Sequence, residues 1–207
     1  MPVKDIDPEQ LKPALADYIF DHARKLPERT AMSSEYGDIS YADLASNVRR
    51  LGVALQRSGV RPGDRVAVLT TPRADGYSVF LALNAIGAIW LGINPVYQYR
   101  EMRYVVDDAA PVALIFLSGF QGREYLEDAR RLMDDCPSLR QAWCLDRSLP
   151  GVESLQEVTQ RLVPRHLIEL QGTEDHRGSA GHAFAARRKT GPDAAEKTAS
   201  DAVLAAG

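Results

Sequence analysis

The residues best suited to chemistry stand in the segment "LSGFQGREY", residues 117–125, where Ser118, Gly119, Gly122 and Arg123 lie between an apolar run and a helical pattern. A loop that leads from a strand into a helix can hold an anion with backbone amides and the positive end of the helix dipole. The segment has neither a Walker pattern nor a lysine, so a plain turn is the reading its residues favour. "RRKTGPD" offers Lys189, Thr190 and Gly191 in a similar vein, but no strand precedes it and no apolar helix follows.

Asp64 in "RPGDRV" is an isolated carboxylate, and a Pro-Gly-Asp turn feeding a strand is first a backbone device. Asn94 and Pro95 close an apolar run at what would be the carboxyl end of a strand, the edge where ligands bind in parallel sheets. Strand termination accounts for them equally. Arg100 and Arg103 follow on a helical pattern near that edge and could meet a phosphate; charge on the outer face of an amphipathic helix is the simpler account.

His22, His166, His176 and His182 have no metal-ligand spacing, and Cys136 and Cys144 lack a partner pair. Spacing supports no Ser-His-Asp or Cys-His arrangement. Taken alone, the residues assign no catalytic, cofactor-binding or metal-binding position.

The composition is that of an ordinary globular chain: 207 residues, 45% hydrophobic, 26% charged, net charge −3. That balance leaves no basic footprint for nucleic acid. Two cysteines suit a reducing compartment, and "MPVKDIDPEQ" has no leader-like apolar stretch, so a cytoplasmic protein is expected. No charge occurs from Gly76 to Pro95, a length near the ~20 apolar residues of a spanning helix. Gly87, Gly92 and the closing Asn94-Pro95 break it, and with Ser78 and Asn84 they point to a helix, a turn and a buried strand. No transmembrane segment is expected.

The elements around these residues follow from periodicity. A first helix is expected in "LKPALADYIFDHARKL", with Leu15, Ile19, Ala23 and Leu26 on one face. "PERTAMSSEYGDISY" reads as two short strands about a turn at Glu35–Asp38, with Gly37 free to take a positive φ. Ser40 stands at an N-cap position with Asp43 three residues on, a partial capping box. Leu44, Val48, Leu51 and Leu55 then form a core stripe ended by Gly59.

Beyond it, strands are expected at 65–70, 88–93, 111–117 and 140–146, with helices at 74–86, 98–109 and 122–134. Continuous apolar strands alternating with helices imply an α/β fold, a mostly parallel sheet covered by helices on both faces. The expected domain spans residues 10–160. From 161 to 207 the chain is rich in Ala, Gly, Arg and small polar residues, and from Gln171 to Ala202 only Phe184 is large and apolar. Such a tail cannot offset an ordering cost of about 1–2 kcal/mol per residue, so a disordered C-terminal tail is expected.

The ordered set of motifs resembles the N-terminal part of the adenylate-forming (AMP-binding) superfamily, the acyl-CoA synthetases and their relatives. The segments that carry the resemblance are "DYIFDHARKLPERTAM", "ISYADLASNVRRLGVALQRSGVRPGDRVAVL", "FLALNAIGAIWLGINPVY" and "EMRYVVDDAAPVALIF", from about Leu15 to Asp146. Within them Ser40-Tyr41-x-x-Leu44 resembles the family's helix start, and Gly59-x-x-x-Gly63-Asp64 its turn into a strand.

The resemblance implies ATP-dependent activation of a carboxylate as an acyl-adenylate, then transfer to a thiol, with ATP, Mg and CoA as cofactors of the complete family enzyme. The phosphate that Arg100 and Arg103 could meet would then be one of CoA, with charge on the outer face of a helix still the simpler account. The family's Ser/Thr-Gly-rich loop ending in Lys-Gly, its aromatic-Thr-Glu segment, its ribose-binding Asp and its C-terminal catalytic lysine lie after the matched region, and this sequence contains none of them. The expectation is therefore a fragment that binds no cofactor by itself, its ancestral frame lost near residue 160. The alternatives are half of a split ligase completed by a separately encoded C-terminal part, or an interaction module without chemistry.

Overall fold

The computed structural model describes residues 12–34 and 37–163. All of them belong to the first of two units into which the chain divides, Met1–Gln171. The tail expected to be disordered lies outside the described residues from 164 onward.

Helix α1 (Leu15–Lys25) leads to a hairpin of β1 (Thr30–Ser34) and β2 (Gly37–Ser40), in which Gly37 takes φ +116°. Helix α2 (Tyr41–Arg57) starts at Ser40, whose hydroxyl accepts from the Asp43 amide at 3.1 Å and donates to the Asp43 carboxylate at 2.7 Å. Leu44, Val48 and Leu55 of the expected stripe are buried, and Leu51 is half-buried. Each fully buried side chain of that size stabilises the fold by roughly 1.5–3 kcal/mol.

Four strands make the main sheet: β3 (Arg65–Leu69), β4 (Ile89–Ile93), β5 (Ala113–Phe116) and β8 (Gln141–Cys144). Their order is β4-β3-β5-β8 and every pairing is parallel, with Leu69 beside both Ile93 and Phe116, and Phe116 beside Cys144. All four residues of β5 are buried, as expected of a central strand covered on both faces. The crossovers are α3 (Ala74–Ala85), α4 (Tyr99–Ala109) and α5 (Leu126–Asp135); α6 (Leu155–Leu162) follows β8.

The chain steps from β3 outward to β4, then returns past β3 to β5 and on to β8. With right-handed crossovers that reversal puts α3 on one face and α4 and α5 on the other. Packing agrees. Helices α1, α2, α3 and α6 form one layer, in which α2 touches the other three, and α4 packs on α5.

The uncharged stretch 76–95 resolves into α3, a turn at Gly87 and β4. No helix among the described residues is long and apolar enough to cross a membrane. The Ser78 hydroxyl, buried mid-helix, donates to the Ala74 carbonyl at 2.9 Å.

Two local expectations need correction. Helix α1 buries only part of the face through Leu15, Ile19, Ala23 and Leu26: Leu15 is 45% exposed and Leu26 41%. Ile19 of the expected face does pack against the core, beside Phe20 and the fully buried Ala16, whose amide donates to the Asn84 side-chain oxygen of α3 at 3.0 Å. The small Ala16 permits that close approach. The helix expected from residue 122 begins only at Leu126, because a hairpin of β6 (Gly119–Phe120) and β7 (Arg123–Glu124) intervenes. Gln121 (φ +49°) and Gly122 (φ +81°) form its two-residue loop, the pair of positive φ angles that a tight hairpin of type I′ requires.

Candidate functional site

The path out of β3 leads to one face of the sheet and the paths out of its neighbours β4 and β5 lead to the other. Chain therefore diverges at the carboxyl end of β3, and a crevice opens there, the usual ligand position in such folds. A cavity of about 1500 Å³ lies at this edge, bounded by the β1–β2 hairpin, α2, the β3–α3 loop and α6. Thr70, Arg73, Ser78, Trp90, Asp146 and Thr159 represent its sides.

Asp146, just beyond β8, ties two strand ends together. Its Oδ1 accepts from the Ser118 amide at 2.9 Å and from the Cys144 thiol at 3.3 Å, while Oδ2 accepts from the Ser118 hydroxyl at 2.8 Å. Partial desolvation works against the charge on Asp146, but these donors outweigh it and hold the carboxyl below its ordinary range. Burial pushes the Cys144 thiol up to about 11, and the neighbouring carboxylate adds to the effect.

At the first turn of α3, Arg73 grips Asp75 through Nε and Nη2 at 3.0 and 2.7 Å. Asp75 Oδ1 also accepts from the Gly76 amide at 2.8 Å. Glycine suits that position, since a Cβ there would meet Thr70 Oγ1 at 3.0 Å and the threonine side chain would have to shift by a few tenths of an ångström.

The segment "LSGFQGREY" turns its arginine inward to the protein. Arg123 donates to the Tyr97 carbonyl at 2.5 Å and to Asp128 at 2.7 Å, and its guanidinium lies 5.1 Å from the centre of the Tyr125 ring. Tyr125 in turn donates its hydroxyl proton to the Pro95 carbonyl at 2.7 Å. The β6–β7 hairpin thus pins the Asn94–Tyr97 turn. Asn94 supports that turn as well, its Oδ1 accepting from the Val96 amide at 3.1 Å.

Asp64 stands at the opposite, amino end of β3, where its carboxylate accepts from the Arg61 amide at 2.8 Å. Arg103 is bound to Asp107 and Asp135 at 3.3 and 3.1 Å, beside a Tyr99 hydroxyl that donates to Asp135 at 2.5 Å. Burial and that carboxylate push the Tyr99 phenol up to about 12. Arg100 is exposed on the same helix. His22 bonds the Tyr18 carbonyl at 2.7 Å and stacks on Tyr41. Cys136 and Cys144 are both buried free thiols. His166, His176, His182 and Lys189–Gly191 lie outside the described residues.

The crevice therefore brings together Thr70, Arg73 and Asp146, and leaves Asp64, Arg123 and His22 engaged in local structure. Sequence reasoning missed the Ser118–Asp146 clasp, whose partners are 28 positions apart. Arg73 is committed to Asp75, and no group of three His, Cys, Asp or Glu side chains among the described residues could hold a metal ion.

A parallel α/β sheet with a crevice at a point of chain reversal is an arrangement in which such folds commonly bind ligands. The family model described as "AMP-binding enzyme" matches residues 19–201, and the chain belongs to that family. The match continues past Asp146 and past residue 160, the points where the motif-level resemblance and the expected domain end.

Among curated relatives, the chain is 30% identical over 127 residues to a 3-oxocholest-4-en-26-oate–CoA ligase of Rhodococcus rhodochrous, covering 61% of this chain and 22% of that protein. It is 33% identical over 126 residues to a salicyl-AMP ligase / salicyl-S-ArCP synthetase of Mycobacterium tuberculosis, covering 58% and 22%. The chain thus spans about a fifth of the length of these relatives. Among solved structures, a long-chain-fatty-acid-CoA ligase from Archaeoglobus fulgidus superposes with a TM-score of 0.63 at 24% identity, over 72% of this chain and 30% of that one. That likeness is one of fold.

Proposed function

We propose that this chain supplies the first α/β subdomain of an ATP-dependent carboxylate–CoA ligase acting on a fatty or aryl acid in the cytoplasm, and that it does not adenylate alone. The observation that carries this reading is the crevice at the carboxyl end of β3, built on a scaffold of the AMP-binding family yet walled by residues that hold one another. The acid class follows the printed names of the relatives, a sterol-derived acid, salicylate and a long-chain fatty acid.

In this reading the chain's own residues do structural work for the reaction. The Arg73–Asp75 pair fixes the start of α3, and Asp146 fixes the ends of β5 and β8. Together they hold the width of a crevice that residues outside 12–163 must complete with a Ser/Thr-Gly-rich loop ending in Lys-Gly. Such a loop supplies the amides and cation that stabilise charge on transferring phosphates, where loss of a single donor of that kind can lower a rate by about 10²–10³. A separately encoded chain carrying the loop and the C-terminal domain would be the partner.

The test is ATP–pyrophosphate exchange with a panel of fatty and aryl acids, using the purified chain alone and mixed with such a partner. Exchange only in the mixture is expected. Exchange by the chain alone would overturn the proposed incompetence, and none in either condition would overturn the ligase role.

A further inference from the structure

We draw no further inference here: the strongest candidate, the aromatic wall that Tyr77, Phe80 and Trp90 give the crevice on its α3 and β4 side, belongs to the site already described, and nothing in the structure shows what covers it.

Discussion

Asp146 holds Ser118 with both carboxylate oxygens, one on the amide at 2.9 Å and one on the hydroxyl at 2.8 Å, and so joins the carboxyl ends of β8 and β5. The Ser118–Asp146 pair is expected to be coupled. In a double-mutant cycle, Asp146→Ala and Ser118→Ala should destabilise together by less than the sum of the single changes, with a coupling of about 0.5–1 kcal/mol at this partly exposed position. Urea unfolding of the four variants measures it, and strict additivity would show that the clasp is geometrically present and energetically idle.

The same clasp sets an acid limit. The folded state holds the Asp146 carboxyl below its ordinary value, so its contribution to stability is complete above the unfolded value, about 3.9, and fades as pH falls through the lower folded one. Asp146→Asn should therefore narrow the stability gap to the parent as pH drops below about 4. Thermal unfolding from pH 7 downward checks this. A gap that widens with acid would contradict the assigned direction.

At the alkaline end the two thiols act in the other sense. Burial pushes Cys136 up to about 12 and Cys144 up to about 11, so both stay protonated in the fold at pH values where unfolded thiols, near 8.5, ionise. The unfolded chain then binds fewer protons, and stability should fall as pH rises from about 8.5. A neutral-pH thiol titration should find neither cysteine reactive until denaturant is added. Prompt reaction of either in the native protein would contradict this burial.

Gly119 carries a steric demand that no pattern in the sequence announces. A Cβ at this position would lie 2.7 Å from the Arg123 carbonyl oxygen, a backbone atom that moves only with the β6–β7 hairpin. Gly119→Ala should cost about 1–3 kcal/mol, as overpacking does. Gly122→Asn, in open space at φ +81° where asparagine is tolerated, should cost less. Equal losses in paired denaturation curves would remove the steric explanation.

What could be read from sequence was what local pattern determines. Strands β3 and β5 showed as unbroken apolar runs because helices cover both their faces, and α2 showed through its cap at Ser40 and the stripe from Leu44 to Leu55. The β6–β7 hairpin was invisible, since strands of two residues have no periodicity to detect. The clasp was invisible for another reason: Ser118 and Asp146 are neighbours only because β5 and β8 pair. Cations suggested by type, such as Arg123, proved to be spent on Tyr97 and Asp128 once the chain was folded.

Helix α1 makes that limit measurable. Helical spacing fits two overlapping faces here, one through Leu15, Ile19, Ala23 and Leu26 and one through Ala16, Ile19 and Phe20. The fold uses the second, since the Asn84 side chain binds the Ala16 amide and α1 rests on α2 and α3 there. Leu15→Ala should then change stability by less than about 0.5 kcal/mol, as for most surface sites. Ala16→Leu, which adds bulk where the residue is fully buried, should destabilise by about 1–3 kcal/mol. Chemical denaturation of the two variants decides the phase of the helix, and the reverse ranking would restore the Leu15–Leu26 face.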